Sequence, residues 1–406
     1  MILYILVFTF IVGFKFKSGI DLSIVSGLVA IFLLVINFNY IRLTKRIIIF
    51  FLMLLLPAFS LMITLIFMGS DGDALNFSFK IIFISISSLS LSLIFFLKKG
   101  EKSLETFIEV VFVSILVHSV VVIVQFMMPS VKDFIYAYSD VSRLMYTSVG
   151  DYRVAGFSGG GGALLSLFHS FGFLCGFALY KSNKISLFQL TFFCSIIVMS
   201  NIFIARTGII FSILMVLFFD RKLALIYFRK VTVFLLISIL LLSVFYSSEI
   251  IKLYDEIFKL AFERTISEFI SVDSGPESGK YYTFRILSRM FFIPELNAME
   301  VVFGTGDSGR LLQYLASDIG YIRMLNMGGF LFVLLTLLPF VFYFVTTKNN
   351  NLFDLLVNVL IVSVLVAEIK EVIIYGRHIY PFILTMMFLK MLNDNCPPFN
   401  IEKLRQ

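Results

Sequence analysis

The sequence predicts an all-α, polytopic integral membrane protein, and three observations carry that prediction. The chain of 406 residues is 59% hydrophobic and only 15% charged, whereas soluble domains run near 45–50% apolar and ~25% charged. Apolar stretches recur from end to end, many of them close to the roughly 20 residues needed to cross ~30 Å of hydrocarbon. Between them Lys and Arg gather in short clusters, the pattern of cytoplasmic loops. The net charge of +7 therefore speaks to orientation in a membrane and gives no argument for a nucleic-acid partner.

Taken in order, candidate spans fall at 1–14, 20–40, 47–68, 80–97, 104–128, 161–180, 185–204, 207–220, 231–247, 324–346, 352–372 and 377–392, about twelve in all. The first, MILYILVFTFIVGF, lacks a basic leader and a small-residue cleavage site, so it reads as a retained span. Arg42, Lys45 and Arg46 form one basic cluster, and Lys98, Lys99 and Lys102 a second. Lys181 with Lys184, then Arg221, Lys222, Arg229 and Lys230, complete the set. Twelve spans put all of these, and both termini, on the cytoplasmic side. Lys15 and Lys17 fall on the other side and break the rule. Two polar segments, 129–160 and 248–322, then face outward from a single membrane domain covering 1–406. In the larger, Ile250, Tyr254, Ile257, Phe258, Ala261, Phe262, Ile266 and Phe269 recur at three and four, the period of an amphipathic helix. That helix either lies on the outer leaflet or packs on the protein's own spans.

Cys175, Cys194 and Cys396 show neither a disulfide framework nor metal-ligand spacing. His118 and His169 stand alone in apolar spans and read as hydrogen-bonded packing residues; three scattered histidines argue against zinc.

Charged residues in or beside spans are costly in hydrocarbon and default to functional hypotheses. Arg153 precedes the run GFSGGGG, which includes Gly156, Gly159 and Gly160 and leads into an apolar stretch. Glycine lets backbone approach a ligand, a helix start offers unpaired N–H groups, and Arg adds a planar fork for phosphate oxygens. The alternative is a flexible loop entering a span. Arg206, in IFIARTGII, sits between two apolar runs, as an anion-binding or a snorkelling arginine. In ASDIGYIRMLNMGGF, Asp318, Tyr321 and Arg323 lie where the chain re-enters the membrane. A helix would place Asp318 and Tyr321 on one face. Asp318 suits a general base, while Ser317 or Asp318 also suits a helix N-cap. Arg285 and Arg289, a turn apart, either bind a diphosphate or face solvent. GTGDSG at 304–309 reads as a tight turn. Glu368, Lys370 and Glu371 interrupt an apolar span as pairs that neutralise one another, with Glu368 and Glu371 on one face. Arg377 and His378 follow at its outer end and stand, with Tyr321, as candidate substrate contacts.

Three of these stretches resemble the bacterial O-antigen polymerases of the Wzy type. RVAGFSGGGG is similar to the family's Arg-x-x-Gly entry into a middle span. ARTGII is similar to a Ser-Arg-Thr-Gly pattern shared with O-antigen ligases, with Ala205 in place of the serine. SDIGYIRMLNMGG is similar to the Ser-Asp-x-Gly-Tyr end of the family's large periplasmic loop. The Pro-Asn that often follows the first pattern is absent, and Leu164 stands where an Arg-x10-Gly motif needs glycine. Where the ligases carry a histidine facing the acceptor, this chain has Asp318, which favours polymerase over ligase.

The resemblance implies glycosyl transfer at the periplasmic face of the inner membrane. A growing O-polysaccharide on undecaprenyl diphosphate would move to a single lipid-linked repeat unit. Arg153 and Arg206 would stabilise the leaving diphosphate together with the glycines, Arg289 and Arg323 would assist, and Asp318 would accept the hydroxyl proton. A chain-length regulator is the expected partner. No clustered carboxylates suit a divalent ion, so neither metal nor cofactor is expected. A ligase and a lipid-linked oligosaccharide flippase are the rival readings.

Overall fold

The structure, a computed structural model, describes residues 2–37, 43–69, 73–141, 153–158, 162–205, 207–225, 296–307, 319–347 and 351–395, with single positions at 39, 227, 229 and 291. Its helices are α1 (Ile2–Ile11), α2 (Leu22–Ile36), α3 (Lys45–Met68), α4 (Asp73–Lys99), α5 (Ser103–Met127), α6 (Pro129–Tyr138), α7 (Ala163–Lys181), α8 (Leu187–Ile204), α9 (Thr207–Phe219), α10 (Ala298–Phe303), α11 (Gly320–Thr346), α12 (Leu352–Ala367) and α13 (Ile379–Asn395). An isolated antiparallel bridge joins Phe16 to Ser139, and among the described residues there is no strand. Among the described residues, five helical stretches are long and apolar enough to cross a membrane: Lys45–Met68, Ala74–Met127 (which spans α4 and α5), Ala163–Lys181, Leu187–Ile204 and Gly320–Thr346. The fold is thus all-α and of the membrane kind. The expected span at 231–247 and the expected amphipathic helix lie outside the described residues.

The helix starts follow from local chemistry. Asp21 caps α2 by accepting from Ser23 N. Ser186 with Gln189 and Asn351 with Asp354 form reciprocal capping boxes at α8 and α12, each satisfying two orphan N–H groups.

Two compact units emerge. Unit one comprises Met1–Gly13, Asp21–Val111 and Ile286–Gln406; unit two comprises Phe14–Ile20 and Phe112–Arg285. In unit one, serines of α4 meet α13: Ser85 Oγ lies 3.3 Å from Tyr380 Oη, Ser88 Oγ donates to Pro381 O at 3.4 Å, and Ser92 Oγ to Thr385 O at 3.1 Å. Small hydroxyl residues allow such close helix approach where apolar surface alone gives no net drive in lipid. Near the end of α13, buried Lys390 bridges Asp354 at 2.8 Å and Asp394 at 2.6 Å. Lys390→Ala is expected to destabilise the protein by about 3–5 kcal/mol, because two carboxylates lose their cation. A thermal-unfolding midpoint in detergent checks this, and an unchanged midpoint would contradict it.

The expected span at 324–346 is longer and is broken. The helix begins at Gly320 and departs from helical geometry at Gly329, with φ 66° and ψ −171°. The expected tight turn at 304–309 instead lies along this break in its described part. Thr305 N donates to Asn326 O at 2.7 Å and Gly306 N to Met327 O at 2.9 Å. Carbonyls freed by the break are thereby satisfied, as irregular backbone at membrane depth requires. Sequence reading missed this because two adjacent glycines carry no periodicity signal.

In unit two, every residue of α7 from Leu165 to Leu179 is buried, so this helix forms the unit's core. Gly172 lets Ile115 approach to 2.5 Å of where a Cβ would stand. Lys15 and Lys17, which broke the charge rule, sit in the connection that pairs with 138–140. Lys17 N donates to Tyr138 O at 2.9 Å, Asp140 N to Lys15 O at 2.8 Å, and the Lys15 ammonium pairs with Asp140. The segments 14–20 and 138–140 therefore lie together. At another end of the unit Lys181 bonds Asp220 at 2.6 Å, and that hydrogen bond holds the Asp220 carboxyl below the usual carboxylate range.

Candidate functional site

Each unit carries one group of the sequence-predicted residues. In unit two these are Arg153 and Gly156. Val154 and Ala155 are fully buried, and Val154 N donates to Phe203 O in the last turn of α8 at 3.1 Å. Gly156 takes φ +60°, and a Cβ there would stand 2.3 Å from His118 Nε2. The left-handed conformation and the contact both demand glycine. Its N–H donates to Gln125 Oε1 at 2.9 Å while its carbonyl accepts from Gln125 Nε2 at 3.3 Å. Residues 153–158 are thus an anchored turn and not a flexible loop. Gly156 serves that anchoring, its N–H being engaged by Gln125.

The next residue reaches the histidines. Phe157 N donates to His118 Nε2 at 3.0 Å, and His118 Nδ1 lies 2.8 Å from His169 Nε2. His169 Nδ1 lies 3.0 Å from Ser119 Oγ and 2.8 Å from Ser200 Oγ. The two histidines, expected to stand alone, bond one another. Sequence reasoning missed the pair because 51 residues separate its members. Gly159, Gly160 and Arg206 lie outside the described residues. The helix that follows the glycines starts at Gly162, with no side-chain cap, and Ala205 closes α8 just before Arg206.

Gly156→Ala is expected to destabilise the protein by at least about 1–3 kcal/mol, since it forces an ordinary residue into positive φ and drives a methyl group against His118. Protein level in membranes and a melting midpoint check it; a wild-type midpoint would contradict the anchored turn.

In unit one Tyr321 and Arg323 lie in the first turn of α11. Its N-cap is Ile319, two residues beyond Ser317 and one beyond Asp318, the expected caps. Asp318, Arg285 and Arg289 lie outside the described residues. Gly320 N donates to Glu368 O at 2.9 Å, docking this start on the end of α12. Tyr321 is half-buried and donates its hydroxyl to Leu365 O at 2.8 Å. Glu368 and Glu371 do not share a helical face, because α12 ends at Ala367. Glu368 is instead fully buried. Its Oε2 accepts from Ile373 N at 2.7 Å and Ile374 N at 2.6 Å, while Oε1 has no hydrogen-bond partner. Arg323 attracts this carboxylate and Glu371 repels it. A Cβ on Gly320 would stand 2.1 Å from Glu368 Oε1. The sequence presents Glu368 only as one of several mutually neutralising charges; its contacts with Gly320 and with the Ile373 and Ile374 amides follow from the fold.

Arg377 and His378 are both tied into the fold of unit one. Arg377 pairs with Asp21 at 2.7 Å, and buried His378 lies with Nδ1 2.8 Å from Ile11 O. A role in holding the end of α1 and the start of α2 accounts for both contacts.

No family model, curated protein or solved structure matches the chain.

Proposed function

We propose that this chain is an O-antigen polymerase of the inner membrane, with both termini cytoplasmic, about twelve spans and an active face toward the periplasm. It would transfer a growing O-polysaccharide from undecaprenyl diphosphate to a new lipid-linked repeat unit, in concert with a chain-length regulator. The observation that carries the reading is the anchored Arg153 turn. A permanently charged, planar donor sits on backbone fixed by Gln125, His118 and Phe203, one segment before a buried apolar helix. Cations held in place before the reaction stabilise charge that develops on a leaving diphosphate better than mobile ones. The family resemblance adds Arg206, which precedes α9 in sequence, and Asp318, which precedes α11, to the proposed machinery. The acceptor hydroxyl would lose its proton to Asp318 as its oxygen bonds the anomeric carbon and the diphosphate departs with the bonding pair.

One observation favours the flippase as a second reading: the break in α11, since discontinuous helices often build transporter sites. The carbonyls freed there are, however, taken by Thr305 and Gly306.

The test is reconstitution. Purified protein in vesicles, given undecaprenyl-diphosphate-linked repeat units, should release undecaprenyl diphosphate and form products of two or more units, with a chelator present or absent. Transbilayer movement of the substrate without product growth would contradict the proposal.

A further inference from the structure

The buried chain from Phe157 through His118 and His169 to Ser200 enters the proposed site only at its first link, where His118 fixes the Arg153 turn; His169 and Ser200 have no part in it. Its hydrogen-bond directions are fixed by its first member. The Phe157 N–H can only donate, so His118 Nε2 must carry a lone pair and its proton must sit on Nδ1. That Nδ1–H then donates to His169 Nε2, which fixes the second proton on His169 Nδ1. His169 Nδ1–H is left to donate to Ser200 or Ser119, and Ser200 Oγ passes its own hydrogen to Ile197 O at 2.8 Å. His118, Ser119, His169 and Ser200 are all fully buried. A protonated imidazole at either position would turn an acceptor into a donor and break the sequence of bonds. A chain that begins on an amide N–H has no ionisable end, so it is suited to holding backbone and not to moving protons.

Both ends of the chain fall on the segments that bear the proposed arginines. Phe157 lies four residues after Arg153. Ser200 lies in the last turns of α8, which ends at Ile204, two residues before Arg206. Val154 N to Phe203 O is a second tie between the same two segments. Next to Ser200, the Asn201 amide is buried with neither atom hydrogen-bonded, and Gly208 in the first turn of α9 lies against it. The end of α8 is thus held from the side of the glycine-rich turn.

We infer that His118 and His169 are positioning residues that hold the Arg153 turn in register with the end of α8. The catalytic half of this inference rests on the glycosyl-transfer reading; the geometric half does not.

Two measurements test it. The first compares O-polysaccharide ladders from His118→Ala and His118→Gln at matched protein levels. Glutamine places an acceptor oxygen near the site of Nε2. Alanine is expected to lower extension on the order of tenfold or more, as small misplacements of catalytic groups do, and glutamine to restore most of it. The second places Ser158→Cys in a Cys396→Ser background, where Cys175 and Cys194 are buried. Ser158 is buried and its hydroxyl donates to Ala155 O at 2.8 Å. A membrane-impermeant maleimide should leave this cysteine unlabelled with His118 present and label it in His118→Ala. A normal ladder from His118→Ala, a His118→Gln ladder no better than alanine's, or an unlabelled cysteine in His118→Ala would each overturn the inference. A normal ladder from Arg153→Ala would instead sink the reaction reading, and labelling alone would then judge the register.

Discussion

Arg153→Ala and Arg206→Ala are each expected to abolish chain extension while the protein stays in the membrane at its normal level. The leaving diphosphate gains negative charge as the glycosidic bond breaks, and removal of one preorganised donor from such a site costs about 10²–10³ in rate. Arg153 suits that role because backbone ties at the residues that follow it hold the turn. Val154 binds Phe203, Gly156 binds Gln125 and Phe157 binds His118, so truncation of Arg153 leaves these contacts in place. Arg153→Lys should recover only part of the activity, since an ammonium lacks the planar fork that matches phosphate oxygens. Lipopolysaccharide ladders from complemented cells, with membrane levels checked by immunoblot, give the result. A normal ladder from either alanine variant would remove that arginine from the proposed site.

Glu368→Ala is expected to damage both stability and activity. The variant leaves the N–H groups of Ile373 and Ile374 buried without acceptors, at about 1–3 kcal/mol each. It also removes the carboxylate that attracts Arg323 and packs against Gly320, so the start of α11 loses its seat. Glu368→Gln should be far milder: one amide oxygen can still accept from both N–H groups. Gly320→Ala should resemble Glu368→Ala, since its methyl group would also stand 2.7 Å from the backbone oxygen of Glu371. Melting midpoints in detergent separate the two classes. A Glu368→Gln variant as unstable as Glu368→Ala would show that charge, and not the two N–H bonds, holds this connection.

The sequence made the long helices legible because hydrocarbon imposes one rule on every stretch that crosses it. Lys45–Met68 and Leu187–Ile204 begin and end within two or three residues of where apolar runs and basic clusters place them. What escaped was decided by contacts between distant residues. The Gly329 break, the His118–His169 bond and the seat of Gly320 on Glu368 each join positions that no periodicity connects. The glycine run shows the division most clearly. Composition marks 153–162 as unusual, but only Gln125 and His118 explain why Gly156 must be glycine, and only the fold separates it from a loop that merely bends. The Arg377–Asp21 pair was illegible for the same reason, its members being 356 residues apart.

The reading of this chain as a polymerase is tested most directly by deleting its gene and resolving the cell's lipopolysaccharide on a gel. A polymerase loss leaves units that can still be exported and ligated one at a time, so the account predicts a core carrying a single repeat unit and no ladder. Bare core, with no repeat unit attached, would contradict it and point to the flippase or the ligase.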